Sequence, residues 1–420
     1  MSWIDSAIGD GAFAADRPFG PQTLPYGVFS AGPGEPGSFR AVGVRVGDHV
    51  LDVSALAAVG SLPHPELLSG GSLDPLLAAG RPQWTALREA VTELVLSSRR
   101  PPDAVLYPVA EVRTYLPFTV RDYVDFYSSR HHAENVGRIF RPNDEPLLPN
   151  WTHLPVGYHG RAGTVVVSGT SVMRPCGQMR PPSAGTSAGS SAAPVFGPSR
   201  RLDIEAEVSF VCGGPARCCV PVDEVAEHVF GVALLNDWSA RDIQSWEYQP
   251  LGPFLAKSFA TSLAAWITPL DALQAARIPA AGPSSDAALL PYLRTAEPWG
   301  LDLSLTITWN GTVVSRPPFA TMAYSCAQQL AHMTVNGATV RPGDLFASGT
   351  VSGPSRDERG CFLELTWDGR EPVTLDNGST RTFLEDRDTV VITAVAPGPD
   401  GSVVGFGEVA GRVLPARLPG

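Results

Sequence analysis

The sequence predicts a mainly β or α+β fold, because short alternating stretches outnumber helical patterns and tight-turn dipeptides separate them. Residues 301–309 alternate between apolar and polar, Asn310-Gly311 follows, and residues 312–315 return as a second strand. Residues 362–367 are followed in the same way by Asp368-Gly369. Because Asn-Gly and Asp-Gly supply the positive φ values that tight hairpin turns require, both sites indicate β-hairpins.

The first 118 residues are predicted to form a small, β-rich N-terminal domain. Three short segments alternate as half-buried strands do, at residues 27–30, 41–46 and 49–53. The pattern of residues 87–96 predicts a helix, which ends before Pro101-Pro102.

Residues 119–420 are predicted to form a second domain, which is also rich in strands. Two helices are predicted in it, one over 222–229 with Asp223 as its N-cap and one over 320–333. The tract 177–200 consists largely of Ser, Ala, Gly and Pro, which bury too little apolar surface to order a segment. We therefore predict a flexible surface loop inside this domain.

Composition and charge restrict the class of protein. An apolar content of 44% is normal for a globular chain of 420 residues. The 31 basic and 42 acidic residues give a net charge of −11, which argues against a nucleic-acid partner. No segment has the apolar length of a membrane span, and residues 1–5 lack the features of a signal peptide, so we expect a cytoplasmic protein without a membrane partner.

The six cysteines predict neither a disulfide framework nor a zinc site, because their density is low and no C-x-x-C pair occurs. We expect reduced, mostly buried thiols at Cys176, Cys212, Cys218, Cys219, Cys326 and Cys361.

Lysine is almost absent from this chain. Of the 31 basic residues, Lys257 alone is a lysine and the others are arginines. A surface charge is easily exchanged between the two types, whereas a compact ammonium with a tunable pKa is not. Lys257 is therefore a candidate functional residue, with chance survival as the alternative.

The most informative segment is residues 202–210, Leu-Asp-Ile-Glu-Ala-Glu-Val-Ser-Phe. With a period of two, its apolar residues face one way and Asp203, Glu205 and Glu207 face the other. A bound cation would offset the repulsion between these carboxylates, and oxygen ligands favour Ca²⁺ or Mg²⁺. The alternative is a solvated polar face.

Two further segments concentrate polar side chains. Residues 234–244 pass from an apolar run into Asn, Asp, Arg and Gln, which indicates a site where a strand leaves the core; the alternative is a polar loop with an Arg241–Asp242 ion pair. Residues 125–133 combine an acid, a phenol, two hydroxyls and two imidazoles. A histidine there is a candidate general base, although single histidines are more often structural. Since adjacent histidines point apart, we expect only one to serve.

A fourth segment, residues 343–353, is a loop of small and hydroxyl-bearing residues that permits close approach of a ligand. Glu364 follows it in an otherwise apolar predicted strand. Its carboxylate either lies on the exposed face of that strand or orients a base.

Together these segments resemble the fumarylacetoacetase family, over nearly the whole chain. The most specific runs are residues 125–130, 150–161, 236–244 and 341–344. The resemblance implies a cytoplasmic homodimer with an SH3-like β-barrel N-terminal domain and a large mixed β-roll C-terminal domain. It also implies the hydrolysis of 4-fumarylacetoacetate, a small diketo dicarboxylate, to fumarate and acetoacetate at the end of tyrosine and phenylalanine breakdown.

The resemblance further implies roles for individual residues. The ligands of a catalytic Ca²⁺, for which Mg²⁺ is the alternative, correspond to Asp125, Glu205, Glu207 and Asp237. Positions near a second Mg²⁺, close to Asp237, correspond to Lys257 and Thr261. The general base corresponds to His132, oriented by Glu364. The groups that stabilise the oxyanion correspond to Arg241, Gln244 and Lys257, and the substrate contacts to Tyr127, Arg141, Gln244, Tyr248 and Thr350.

The implied chemistry joins Lewis-acid polarisation of the diketone to proton abstraction from water by His132. Two alternatives stay open: an acylpyruvate hydrolase or related oxo-acid decarboxylase or isomerase, and a catalytically inactive calcium-binding protein. Ala256 and Ala260 depart from the family, which usually has glycine there. A methyl group at either position is poorly tolerated if the backbone requires a positive φ.

Overall fold

The computed structural model describes residues 2–8, 14–32, 39–101, 104–181, 193–283 and 289–418. Most helices in these ranges are short. Their bounds are α1 Trp3–Ile8, α2 Val53–Ala58, α3 Asp74–Ala79, α4 Arg81–Leu96, α5 Arg130–Phe140, α6 Val225–His228, α7 Arg241–Glu247, α8 Cys326–Thr334 and α9 Phe362–Leu365. No helix in the described ranges is long and apolar enough to cross a membrane.

Strands dominate, which confirms the predicted mainly β or α+β class. Before residue 240 they are β1 Tyr26–Ala31, β2 Ala41–Val46, β3 His49–Asp52, β4 Leu106–Pro108, β5 Val112–Tyr115, β6 Asp122–Phe126, β7 Gly157–His159, β8 Val165–Val167, β9 Val172–Met173, β10 Cys176–Met179, β11 Val195–Pro198, β12 Leu202–Asp203, β13 Ala206–Cys212, β14 Arg217–Cys218, β15 Val229–Asp237 and β16 Ser239–Ala240. The later strands are β17 Thr261–Leu263, β18 Trp266–Pro269, β19 Arg277–Ile278, β20 Gly300–Leu301, β21 Ser304–Trp309, β22 Thr312–Ser315, β23 Thr339–Val340, β24 Asp344–Ala347, β25 Val373–Thr374, β26 Thr380–Arg381, β27 Thr389–Pro397, β28 Val403–Gly405 and β29 Val409–Leu414.

One large sheet joins the N-terminal region to the rest of the chain. Its main order is β4-β3-β2-β1-β18-β15-β13-β24-β6-β7. Tyr26 of β1 lies opposite Val44 of β2 on one side and opposite Ile267 of β18 on the other. The described pairings of the N-terminal strands do not close a barrel, so the SH3-like barrel is not confirmed.

The central strands β13 and β15 are buried along their whole length. β15 begins with the run Val-Phe-Gly-Val-Ala-Leu-Leu, a pattern typical of a strand covered on both faces. Its last two residues, Asn236 and Asp237, are polar and equally buried. Because burial of polar groups costs free energy unless partners compensate, this end of the sheet indicates a functional site.

A second sheet, of order β22-β21-β27-β29-β9, supports the short helix α9. Trp309, at the end of β21, stacks on Phe362, the first residue of α9, with ring centroids 4.0 Å apart. The Trp309 indole N–H donates to Asp388 Oδ2 at 3.0 Å, which fixes the ring. This contact holds α9 against the sheet. The hairpin predicted at Asn310-Gly311 is confirmed, since β21 pairs with β22 and both turn residues have positive φ.

The predicted starts of three helices differ from the observed ones. The helix predicted over 222–229 is a 3₁₀ turn, Val222–Glu224, followed by α6, and the side chain of Asp223 does not cap it. The helix predicted over 320–333 begins at Cys326, because Ser325 and Gln328 form a capping box there. The helix predicted over 87–96 begins earlier, at Arg81.

Two strand and loop predictions also need correction. The segment around Glu364 is the helix α9 and not a strand, so the hairpin predicted at Asp368-Gly369 is wrong, although both turn residues have positive φ. The ends of the predicted flexible loop 177–200 are β10 and β11, which pair as a hairpin. Residues 182–192 of that loop lie outside the described residues.

Candidate metal centre and active site

Four buried carboxylates meet at one end of the large sheet. Asp125 lies in β6, Glu207 lies in β13, Asp237 ends β15, and Glu205 directly precedes β13. Strand pairing brings them together, because β24 connects β6 to β13 and β13 pairs directly with β15. One oxygen from each side chain lies within 4.8 Å of the others. We call this group the carboxylate cluster.

The carboxylate cluster has the features of a cation site. Both side-chain oxygens of Glu207 and Oδ1 of Asp125 are buried without a hydrogen-bond partner among the described residues. Burial and the neighbouring carboxylates raise the pKa of Asp125 and of Glu207 well above their usual values. Burial also raises the pKa of Asp237. A divalent cation would satisfy the unpaired oxygens and offset the repulsion, and carboxylate ligands fit Ca²⁺ or Mg²⁺.

Two cationic side chains border the carboxylate cluster. Lys257 Nζ donates to Glu205, and to Asp237 Oδ2 at 2.8 Å. Arg241 Nη1 donates to Glu205 Oε1 at 2.7 Å. Burial opposes ionisation of Glu205, but Lys257 and Arg241 lower its pKa to about 2. For Lys257 itself, burial is outweighed by Asp237 and Glu205, which raise its pKa, so the single lysine is an ammonium inside the site.

The prediction that three carboxylates share one face of an unbroken strand is wrong, because Asp203 lies apart from Glu205 and Glu207. The strand is interrupted, since β12 ends at Asp203 and β13 begins at Ala206. Asp203 accepts from Arg241 Nε at 2.8 Å and from the backbone N–H groups of Phe362 and Leu363 at 2.7 and 2.9 Å. It therefore connects Arg241 to the start of α9 and lies outside the carboxylate cluster.

For residues 234–244, the Arg241–Asp242 ion pair of the polar-loop alternative is wrong. Arg241 pairs with Asp203 and Glu205, whereas Asp242 accepts from Ser199 Oγ at 2.6 Å and from the backbone N–H of Arg200 at 2.7 Å. The first two residues of α7 thus have different partners.

His132 and Glu364 form a buried pair. Ser129 caps α5, because its hydroxyl oxygen accepts from the His132 backbone N–H at 3.3 Å. His132 Nδ1 lies 2.6 Å from Glu364 Oε2. Burial opposes ionisation of Glu364, but His132 lowers the pKa of this carboxyl to about 2, so it accepts the Nδ1 proton. The other ring nitrogen, Nε2, lies 4.0 Å from Glu205 Oε1.

The two adjacent histidines differ in burial. His132 is buried, whereas His131 is only half-buried. The ring of Tyr127 contacts His132 edge-on, with centroids 5.2 Å apart. Thr350, in the loop after β24, is buried, and its Oγ1 has no hydrogen-bond partner in the part of the chain that the structure describes.

The other predicted substrate positions lie where the ends of α5 and α7 meet. Gln244 Oε1 accepts from Arg241 Nη1 at 3.1 Å. Tyr248, which follows α7, stacks on Phe140, the last residue of α5, with centroids 6.2 Å apart. Arg141 comes next and donates from Nη2 to Pro146 O at 3.0 Å. The remaining atoms Arg141 Nε and Arg241 Nη2 are buried and unpartnered among the described residues.

A cavity of about 150 Å³ adjoins the carboxylate cluster on the Lys257 side. Thr261 Oγ1 donates to Asp237 Oδ1 at 2.9 Å, so both positions predicted near a second metal contact Asp237. Ala256 and Ala260 do not have positive φ, and both are buried. Ala256 packs with Met179 and Ile243, so its methyl group is accommodated.

Sequence reasoning missed several residues that contact the site. Tyr158 donates to Asp237 Oδ2 at 3.2 Å, and Ser352 donates to Glu364 Oε2 at 2.8 Å. Asn135 donates to Glu364 Oε1 at 2.9 Å. The spacing of three residues from His132 was the available signal for Asn135, because such residues share a helix face.

Family models match both parts of the chain. The model described as fumarylacetoacetate (FAA) hydrolase C-terminal matches residues 122–414, and the model described as fumarylacetoacetase N-terminal matches residues 22–117. Fumarylacetoacetase from Homo sapiens is 44% identical over 425 residues, covering 97% of this chain and 98% of its own. Fumarylacetoacetase from Arabidopsis thaliana is 42% identical over 437 residues, covering 99% and 100%.

Solved structures share the fold. The fumarylacetoacetate hydrolase from psychrophilic Exiguobacterium antarcticum has a TM-score of 0.54 at 15% identity, covering 94% of this chain and 100% of its own. Maleylpyruvate hydrolase from Sphingobium sp. SYK-6, in complex with manganese(II) and pyruvate, has a TM-score of 0.52 at 16% identity, with the same coverage. These structures show only the fold, whereas the two family models and the relatives that span nearly the whole chain show the family. This chain belongs to the fumarylacetoacetase family.

Proposed function

We propose that this protein hydrolyses a carbon–carbon bond of 4-fumarylacetoacetate, giving fumarate and acetoacetate in tyrosine and phenylalanine catabolism. The observation that carries the proposal is the closeness of the carboxylate cluster to the His132–Glu364 pair, with 4.0 Å between His132 Nε2 and Glu205 Oε1. A metal site and a general base are thus adjacent. The relatives that span nearly the whole chain are fumarylacetoacetases.

The carboxylate cluster would hold one divalent cation, for which we propose Ca²⁺ with Mg²⁺ as the alternative. When bound, this cation supplies Lewis-acid stabilisation of negative charge on the diketone oxygens. A second Mg²⁺ near Asp237, Lys257 and Thr261 is a further proposal. Because an ammonium has no lone pair for a metal, oxygen atoms would supply the ligands of that site.

His132 acts as the general base. Glu364 holds the Nδ1 proton, so Nε2 takes a proton from the water that adds to the carbonyl on the fumaryl side. Arg241, Gln244 and Lys257 stabilise the resulting oxyanion. Nη2 of Arg241, which has no partner among the described residues, is a donor available to it. The carbon–carbon bond then breaks, its electron pair leaves with acetoacetate, and the proton on His132 completes that product.

Five side chains are proposed to hold the diketo dicarboxylate. The guanidinium of Arg141 is suited to a terminal carboxylate of the substrate, since arginine pairs with carboxylates in a fixed fork. The other four are Tyr127, Gln244, Tyr248 and Thr350. Their unpartnered or half-buried polar groups support this assignment.

The proposal also includes the domain organisation, the oligomeric state and the location of the protein. The family models meet between residues 117 and 122, which supports a division into residues 1–118 and 119–420. We propose an SH3-like N-terminal domain, a β-roll C-terminal domain, a homodimer and a cytoplasmic location. The net charge of −11 supports a small-molecule substrate over a nucleic acid.

The test is the loss of diketone absorbance of fumarylacetoacetate, measured with protein stripped by a chelator and then reloaded with Ca²⁺ or Mg²⁺. Metal-dependent loss with fumarate and acetoacetate as products is the expected result. Cleavage of an acylpyruvate but not of fumarylacetoacetate would assign the chain to the alternative activity. Binding of Ca²⁺ by folded protein without turnover of either substrate would indicate an inactive calcium-binding protein.

A further inference from the structure

The carboxylate of Glu364 has an unequal set of hydrogen-bond donors. Its Oε2 receives three of them, from His132 Nδ1 at 2.6 Å, Ser352 Oγ at 2.8 Å and Cys361 Sγ at 3.2 Å. Its Oε1 receives one side-chain donor among the described residues, Asn135 Nδ2 at 2.9 Å. The two oxygens are therefore held by different sets of donors, and Asn135 is the side-chain donor to Oε1 in the described part of the chain.

This inequality matters because the terminal torsion of a glutamate is broad. Rotation about the last carbon–carbon bond moves both oxygens, so donors on either oxygen oppose it. Asn135 supplies the side-chain donor to Oε1, so it adds a second point that holds the carboxylate plane while Oε2 faces the imidazole of His132.

Helix α5 carries both Asn135 and His132, three residues apart and on one face. The position of the Asn135 amide is itself set, because its Oδ1 faces Arg138 Nη1 at 3.4 Å while Nδ2 faces Glu364. One rigid helix thus fixes the base and the orientation of the carboxylate that holds it. Glu364 itself comes from α9, more than 200 residues along the chain.

We propose that Asn135 is a positioning residue for hydrolysis, acting through Glu364 and His132 by fixing the plane of the Glu364 carboxylate. The proposal rests on the proposed function for its effect on turnover. Its structural part, the geometry of the His132–Glu364 hydrogen bond, does not depend on which substrate is cleaved.

The test compares Asn135→Ala and Asn135→Asp with the wild type and with Glu134→Gln. Glu134 lies on the same helix and bonds to Arg130 and to Arg138, which also faces Asn135 Oδ1, so its variant tests the surroundings of Asn135 without changing a donor to Glu364. The measurements are kcat and KM at pH 8, bound metal, melting temperature, and the downfield proton resonance of His132 Nδ1.

We expect Asn135→Ala to lower kcat about 10- to 100-fold, by analogy with other residues that orient a catalytic or metal-binding side chain, with little change in KM or bound metal. Asn135→Asp has the shape of asparagine but places a like charge beside Glu364, so its kcat should be lower still. In both variants the Nδ1 proton resonance should shift or broaden. Glu134→Gln should match the wild type.

Two results would overturn the proposal. If Asn135→Asp restored the activity lost in Asn135→Ala, Asn135 would only fill space. If the Nδ1 resonance were the same in all variants, the carboxylate plane would be set without Asn135. Absence of turnover in the wild type would remove the proposed function, while the resonance would still decide whether Asn135 positions Glu364.

Discussion

Glu207 is the carboxylate of the cluster whose burial is least compensated by hydrogen bonds. Its two oxygens are buried without a partner among the described residues, whereas Glu205 is paired with Lys257 and Arg241. Two carboxylates that follow one another at a spacing of two thus have opposite shifts, with the pKa of Glu207 raised and the pKa of Glu205 lowered. A metal ligand and a charge-paired ligand are distinguished by their neighbours.

Replacement of Glu207 by glutamine should therefore separate stability from function. Because an amide is neutral without a proton or a cation, the metal-free variant should melt at or above the melting temperature of the metal-free wild type. Bound metal should fall below one equivalent and kcat should fall at least about 100-fold. Metal analysis and scanning calorimetry measure both, with Glu134→Gln as the surface control. Unchanged metal content would contradict the assignment of Glu207.

Glu364→Gln should lower kcat about 10²- to 10⁴-fold, because the amide no longer holds the Nδ1 proton of His132 as an ionised carboxylate does. Metal content should stay unchanged, since Glu364 is not in the carboxylate cluster. Steady-state kinetics and metal analysis on the same preparation check this. A loss of metal in parallel with kcat would mean that the pair and the metal site cannot be separated.

The same substitution has a defined pH signature. The pKa of Glu364 is lowered from 4.5 to about 2, so its ionised form contributes stability that is fully present above the unfolded pKa and lost as pH falls towards 2. The difference in melting temperature between wild type and Glu364→Gln should be constant from about pH 7 to 5 and shrink below about pH 4. A difference that grew on acidification would have the wrong sign.

At this scale, residue types predicted much of the site. The rarity of lysine singled out Lys257, and alternation singled out Glu205 and Glu207. Asp203 was grouped with them wrongly, because strict alternation assumes an unbroken strand and the break after Asp203 is set by its bonds to Arg241 and α9. Those partners are distant in sequence, so the pattern of the segment alone does not contain them.

Among the elements, the position of α5 matters most for the proposed reaction, because the first turn of this helix carries His132. Ser129 caps this turn and also donates to Ser352 O at 3.1 Å. Ser325 caps α8 in a similar way, by accepting from the Gln328 backbone N–H, but α8 carries no predicted site residue. The two serines form a matched pair of helix caps.

Ser129→Ala and Ser325→Ala should each cost about 1 kcal/mol of stability, since each removes a helix cap. Only Ser129→Ala should also lower kcat, by about tenfold, because a small displacement of His132 misaligns the base. Thermal unfolding and kinetics on both variants test this. Equal kcat values in the two variants would mean that α5 is held in place without its cap.

The elements differ in how well sequence predicts them. The hairpin at Asn310-Gly311 was predicted, because its turn chemistry is local. Helix α9 was not, since Phe-Leu-Glu-Leu is a short apolar run with one acid, which was interpreted as a strand. The backbone N–H groups of Phe362 and Leu363 are satisfied by Asp203, about 160 residues earlier. A short helix held by a distant carboxylate leaves no periodic signal.

For the whole molecule, removal of the metal should lower the melting temperature at neutral pH and raise the dependence of stability on pH. Burial raises the pKa of Asp125 and of Glu207 in the metal-free protein, so cation binding must displace protons from them. The affinity for Ca²⁺ should therefore increase with pH. Titration calorimetry in two buffers of different ionisation enthalpy measures the released protons, and binding without proton release would contradict the pKa shifts.

The division of the chain near residue 118 was predicted from pattern, but the connection across it was not. Tyr26 and Ile267 pair across about 240 residues, and no local signal specifies such a partner. Gly27 is needed at this junction, because a side chain there would meet the Trp266 ring and the Ala265 carbonyl within 3 Å. The N-terminal region and the site thus share one sheet.

In the shared sheet, the N-terminal region covers one edge of β18. A chain that started at residue 119 would keep the pairing of β18 with β15 but would free the edge that pairs with β1 and uncover Trp266. Exposed edges of this kind recruit strands from other molecules. Size-exclusion chromatography of such a truncated chain should give aggregates, and a monodisperse product would contradict this. The first hundred residues would then serve as a guard against self-assembly, whatever else they do.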